Sequence, residues 1–173
     1  MSVYTSSVVR CPDYSDASVN AALEEALAAI GGLDWVEPGM RIGVKVNMAA
    51  PKAPEYAVCT DPALVASLCR MLVARGAKPI VGDSPGGLYN AAYVERFYSV
   101  TGMERVLEAG AKLNDDFTQY EVSYPEAVVA KHFTRTSWLR DCDAVITFAK
   151  LKTHGMMGMT GAVKNQYGTV PGT

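Results

Sequence analysis

Apolar residues recur at two spacings along this chain, and the spacing switches from segment to segment. Over 17–30, Val19, Leu23, Ala26, Leu27 and Ile30 fall on one stripe at helical spacing. Glu37-Pro38-Gly39 reads as a turn. After it, 41–47 alternates as a strand, with Ile42, Val44 and Val46 on one side and Lys45 and Asn47 on the other. Asp61 has the chemistry of an N-cap, with Pro62 at the first helical position. The helix it starts carries Leu64, Leu68, Met71 and Leu72 inward, and Gly76 ends it. A strand over 78–83 runs into Ser84-Pro85-Gly86-Gly87. A helix is expected over 93–108, broken near Gly102 and stopped by Gly110. The runs 119–123 and 127–133 are β-rich with Tyr124-Pro125 between them, as in a hairpin. A short helix over 137–141 precedes the most apolar strand, 144–148. This βα alternation predicts an α/β protein with a mostly parallel central sheet flanked by helices and a β-hairpin insertion around 119–133.

Length and composition narrow the class. A chain of 173 residues suits one domain, so 1–173 is expected to be a single α/β domain. Apolar content of 49% with 20% charged residues is ordinary for a soluble globular protein. No basic stripe argues for nucleic acid, and no apolar run approaches the ~20 residues of a membrane span. The opening MSVYTSSVVRCP has neither the basic leader nor the apolar run of a signal peptide. Cys11, Cys59, Cys69 and Cys142 form no C-x-x-C pair, which argues against a self-contained zinc or iron–sulfur site and against a disulfide framework. A reducing cytoplasm is the expected location. His132 and His154 are the two histidines. His132 lies in a β-rich run and reads as structural, and no metal site is expected.

Charge changes the picture more than composition does. Residues 144–173 contain no Asp or Glu but include Lys150, Lys152 and Lys164, so this segment carries +3 and leaves −5 on residues 1–143. A cationic, glycine-rich stretch at the end of an acidic chain suits an anion. In open α/β sheets, ligands sit beyond the carboxyl ends of the strands. Three expected strands end in polar clusters: Lys45 with Asn47, Asp83 with Ser84, and Lys150 with Lys152 and His154. If these strands are parallel neighbours, the clusters meet on one rim.

Each cluster has a functional and a plainer reading. The glycines of Gly82-Asp83-Ser84-Pro85-Gly86-Gly87 let backbone N–H groups face an anion. Asp83 would repel a bare anion, so it suits a cation, a ligand hydroxyl or a lysine. The plainer reading is a tight strand-to-helix turn. Neither G-x-x-x-x-G-K-[ST] nor a complete G-x-G-x-x-G is present, so neither nucleotide fingerprint is met. Lys150 and Lys152 could bracket one anion and lower each other's pKa, and Thr153 and His154 add hydrogen bonding and proton transfer. The plainer reading is a solvated basic loop. Lys164 stands beside Asn165 and Gln166, whose amides suit hydroxyl and carboxylate recognition; a short helix with a glycine cap is the alternative. Met156, Met157 and Met159 read as a flexible wall or interface rather than a metal site. The candidates are therefore Lys152, His154 and Asp83 for catalysis, with Lys45, Asn47, Ser84, Lys150, Thr153, Lys164 and Asn165 for substrate binding.

Three strings carry a family resemblance: EPGMRIGVKVNMAAP at 37–51, TDPALVASLCRMLVARGAKPIVGDSPGG at 60–87, and DAVITFAKLKTHGMMGMTGAVKNQYGTVPG at 143–172. Together they resemble the domain-of-unknown-function family 362. The matching positions are Lys45, Asn47, Thr60, Asp61, Asp83, Ser84, Lys150, Lys152, Thr153, His154, Lys164 and Asn165. The resemblance implies a domain often joined to a ferredoxin-like module with two iron–sulfur clusters. No such cysteine run is in this chain, so electron transfer would need an iron–sulfur partner protein. Family domains also commonly run past the G-x-V-P-G point, so a shortened or short family member is expected. A more distant similarity to the N-terminal part of nickel-dependent lactate racemase implies 2-hydroxy-acid chemistry at a Lys/His site, without carrying residues across. The expected function is an enzyme, or the substrate-binding domain of one, for a small carboxylate- or phosphate-bearing metabolite. An oxidoreductase or racemase-like reaction is the expected class, and no cofactor is named. The alternatives are a redox-linked subunit working with an iron–sulfur partner and a non-enzymic anion-binding module, either of which could form an oligomer.

Overall fold

The computed structural model describes residues 5–172. Helix α1 (Asp16–Ala28) starts at Ser15, whose hydroxyl accepts the Ser18 N–H, and Ile30 lies past its end, half exposed. Strand β1 (Arg41–Lys45) leads through a short 3-10 turn to α2 (Pro62–Ala74). Asp61 caps α2 as expected, by accepting the Ala63 N–H at 2.8 Å. Gly76 ends it at φ +81°, donating to the Val73 carbonyl while Ala77 donates to that of Leu72. This paired closure requires a left-handed residue, which glycine supplies without steric cost.

Strand β2 (Lys78–Gly82) follows, then α3 (Ala91–Thr101) and α4 (Arg105–Glu108). The break expected near Gly102 is there, with that glycine at φ +69°. A two-residue strand, β3 (Lys112–Leu113), was not expected and is too short to show a periodicity. The hairpin pairs β4 (Gln119–Ser123) with β5 (His132–Thr136). Its second strand lies later than 127–133. Val128 and Val129 have strand-like side chains but project from the connecting loop at 97% and 89% exposure.

The segment 137–141 is not a helix but two successive turns, closed by Arg140 N–H to the Ser137 carbonyl and Cys142 N–H to that of Leu139. Five residues rarely sustain a helix alone, and here Trp138 and Leu139 are buried against the sheet instead. Strand β6 (Ala144–Thr147) then returns to the sheet. A second small hairpin, β7 (Lys152–His154) with β8 (Gly158–Thr160), leads to α5 (Ala162–Asn165) and a closing 3-10 turn (Gln166–Thr169).

The central sheet has the order β3-β2-β1-β6 and is parallel throughout. Both faces of β1 are buried, as parallel sheets require. On one side Ile42, Val44 and Val46 join a core built from α2, α3 and α4. On the other, Trp138 and Leu139 lie so close that a Cβ on Gly43 would meet Leu139 at 2.6 Å. A Cβ on Gly82 would meet Asn114 at 2.8 Å and Trp138 at 3.1 Å. Among the described residues no helix is long and apolar enough to cross a membrane.

Candidate functional site

The sheet order fixes where polar residues collect. From β1 the chain builds outward through β2 and β3, then crosses back to place β6 on the opposite side of β1. That reversal makes the carboxyl ends of β1, β2 and β6 a topological switch point, where open α/β sheets form their ligand crevice. Because the three strands are adjacent and parallel, the three polar clusters anticipated from the sequence meet on this rim.

At its base lies a completed ion pair. Lys45 is 0% exposed, and its ammonium lies 2.5 Å from Asp83 Oδ1. It also donates to the Val46 carbonyl at 2.9 Å and to Asn165 Oδ1 at 3.3 Å. Asp83 Oδ2 accepts the Met48 N–H at 2.7 Å. Burial pushes Lys45 below the usual lysine range, opposed by the Asp83 charge and reinforced by Lys164. Burial likewise pushes Asp83 above the usual carboxylate range, opposed mainly by Lys45. Each group needs the other to stay charged.

The last described residues close over this pair. Asn165 Nδ2 donates to the Lys45 and Val46 carbonyls at 3.3 and 3.0 Å, anchoring α5 to the end of β1. Gln166 donates to the Thr147 hydroxyl on β6. The Gly168 carbonyl accepts from the Ser84 hydroxyl at 2.5 Å and the Ser84 N–H at 3.3 Å. A Cβ on Gly168 would come within 2.6 Å of Asp83 Oδ1 and 2.9 Å of Lys45 Nζ. Only a bare backbone can lie this close. Thr60 ties the opposite edge: its hydroxyl accepts the Asn47 N–H at 2.9 Å and donates to the Phe148 carbonyl at 2.8 Å.

The other lysines are in a different state. Lys150, Lys152 and Lys164 are only partly buried. Lys152 donates to the Val58 carbonyl at 2.7 Å. Burial lowers its pKa, the nearby Cys59 opposes this, and the charges of Lys164 and Lys150 lower it further. Thr153 is exposed, opposite Met159 across β7 and β8. His154 Nδ1 accepts the Met156 and Met157 N–H groups at 3.2 and 3.1 Å, closing the hairpin turn. In a neutral ring that leaves the proton on Nε2.

The ten candidates therefore divide. Lys45, Asp83, Ser84 and Asn165 are buried and bonded to one another or to Gly168. Lys150, Lys152, His154 and Lys164 are partly buried on the segment that follows β6, Thr153 is exposed on the opposite face of β7 from Lys152 and His154, and Asn47 is 7% exposed. Gly168, Thr60 and Thr160 were not among the candidates. Thr60 lies in the T-D-P string, and Gly168 follows the Lys164-Asn165-Gln166 run where it reads as a helix cap, so both left a trace in the sequence; Thr160 left none. Among the described residues no three or more His, Cys, Asp or Glu side chains assemble to hold a metal ion. Two open clefts lie away from this rim. One, of about 500 Å³, is lined by α1 and α2 residues including Glu24 and Arg75. The other, of about 320 Å³, lies at the opposite ends of the strands, beside Arg41 and Lys78.

Comparison with known proteins places these residues in a family. Residues 42–173 match a domain of unknown function, DUF362. The thylakoid-associated protein sll1697 of Synechocystis sp. (strain ATCC 27184 / PCC 6803 / Kazusa) is 30% identical over 173 residues, covering 96% of this chain and 50% of that protein. The chain thus spans about half the length of this curated relative. No solved structure matches it. The chain belongs to the DUF362 family.

Proposed function

We propose that this chain is an enzyme, or the substrate-binding part of one, that takes a small carboxylate- or phosphate-bearing metabolite at the carboxyl ends of β1, β2 and β6. Lys150, Lys152 and Lys164 hold the anion. His154 serves as general acid or base through Nε2, since Nδ1 is engaged with backbone N–H groups. Asn47 adds a hydrogen bond, whereas Thr153 faces the other side of β7 and takes no part. Lys45, Asp83, Ser84 and Asn165 act from beneath, fixing the crevice floor rather than touching the ligand.

One observation carries this reading. Lys164 and Lys150 both depress the pKa of Lys152, and Asp83, the carboxylate whose charge opposes them there, is already paired with Lys45. Among the described residues none of these three lysines has a salt-bridge partner, and like charges held near one another are stabilised by an incoming anion. A cytoplasmic site of action goes with the proposal; the thylakoid association is a property of the relative alone.

The test is a thermal-shift titration of wild type and Lys152→Ala with phosphate, pyrophosphate and glycolate. At least one anion should raise the wild-type melting temperature, and the substitution should remove that rise while leaving the ligand-free melting temperature near wild type. A wild-type melting temperature unmoved by all three would end the proposal.

A further inference from the structure

The two edges of the central sheet are finished differently. At one end of the order β3-β2-β1-β6, β3 is two residues long and carries an exposed Lys112. A very short edge strand with a lysine on it discourages other strands from pairing there. At the other end β6 pairs with β1 alone. Its apolar run continues from Ala144 through Phe148 and Ala149 with no charge, proline or glycine. This edge has neither protection.

Burial points the same way. Four of the five residues of β1 are buried, whereas none of β6 is, although three of its four are apolar. Val145 is 42% exposed, and Ile146 and Phe148 are only partly covered. Strands of parallel sheets are normally covered on both faces. An edge strand also turns a row of backbone N–H and C=O groups outward, and another strand is the neighbour that satisfies them in series.

Charge selects which strand. Asp141 and Asp143 stand just before the apolar run of β6, and Lys150 and Lys152 just after it. Asp143 Oδ2 accepts the Arg41 N–H at 2.7 Å, and Asp141 lies 3.4 Å from the exposed Arg140. A neighbour of the same sequence running antiparallel sets its acidic start beside this basic end, and its basic end beside this acidic start. Running parallel, it would set like charges together, which is unfavourable. We propose that β6 is the dimer interface of this chain: a second copy lays its own β6 antiparallel to this one about a two-fold axis, joining the two sheets into one. The same patch serves both copies, so the contact closes on itself. Lys150 then lies near acidic residues of the second copy, which leaves Lys152 and Lys164 to the anion. The pairing does not depend on the anion-binding reading.

Sedimentation equilibrium and hydrogen exchange on the whole chain test it. In the upper micromolar range wild type should sediment at twice the chain mass of 18.5 kDa. Val145→Lys places a charge in the middle of the edge and should weaken association by about tenfold or more. Lys152→Ala should leave association within about twofold of wild type, since it lies beyond the paired strand. The β6 amides should exchange more slowly in concentrated than in dilute wild type, and Val145→Lys should lose that difference. A wild type that stays monomeric throughout this range overturns the proposal. So does a dimer whose β6 amides exchange alike at both concentrations, because its contact then lies elsewhere. A series of ever larger species would show a contact that does not close, and overturns the two-fold pairing. Should Val145→Lys not fold, Lys150→Glu decides: with both ends acidic the edge should repel its copy, and unchanged association overturns the proposal.

Discussion

Lys45 and Lys152 belong to the same rim and are in opposite conditions. Lys45 is fully enclosed, ion-paired with Asp83 and donating to Val46 and Asn165. Lys152 is partly open, holds one backbone carbonyl and shares its surroundings with two further cations. Both have depressed pKa values for which burial is the largest cause, so the shift alone does not tell them apart. The partner does. A lysine matched to a carboxylate is part of the scaffold, and one crowded by other lysines is where an outside anion is favoured.

Breaking the matched lysine should have the largest effect. Lys45→Met strands the Asp83 carboxylate in the interior, which should cost about 3–5 kcal/mol in urea unfolding. The double variant Lys45→Met with Asp83→Leu should recover most of that loss, because well-packed apolar residues often replace a buried ion pair at little cost. A single variant as stable as the double would mean that the pair is not enclosed as described.

Gly168→Ala should come next. Its Cβ would lie 2.6 Å from Asp83 Oδ1, so the closing segment must lift or the ion pair must shift. The expected loss is about 1–3 kcal/mol, read from the same unfolding curves. It should shrink in the Lys45→Met, Asp83→Leu background if contact with the pair is the cause. Asn165→Ala removes the amide that holds α5 to β1, with an expected loss of about 1–3 kcal/mol from the acceptors it leaves without a donor.

Changes at the open lysine should barely alter folding and should act on binding instead. Lys152 attracts an anion only while protonated. Its pKa is lowered in the folded chain, so anion affinity should fall as pH rises through a range beginning below that of an ordinary lysine. Lys152→Arg, charged throughout, should carry binding to higher pH. The stability linkage has its own sign: the folded state holds this proton less tightly than the unfolded chain, so the cost of charging Lys152 is present at lower pH and is relieved as pH rises through the depressed value. An affinity that stays flat across the alkaline range in wild type would count against Lys152 as the anion contact.

The sequence made the meeting of strand ends legible, because β1, β2 and β6 each combine an apolar run with a polar end. It did not distinguish Lys45 from Lys152. Lys45 alternates like an outward-facing strand residue, and its enclosure depends on Asp83, Asn165 and Gly168, the last two more than a hundred positions along the chain. The β7–β8 hairpin was hidden because three-residue strands joined through Gly155, Met156 and Met157 have no readable period. Val128 and Val129 misled in the other direction, since β-branched side chains favour strands but do not compel one. Thr160 was invisible for a different reason: its buried hydroxyl has no partner among the described residues, and that is defined by what surrounds it, which local sequence does not state.

The central claim, that the crowded lysines and not the enclosed one receive the anion, is tested most directly by the anion-induced melting shift of Lys152→Ala measured beside wild type. The account predicts that the shift disappears while the ligand-free melting temperature stays near that of wild type. A full anion-induced shift in Lys152→Ala would contradict it.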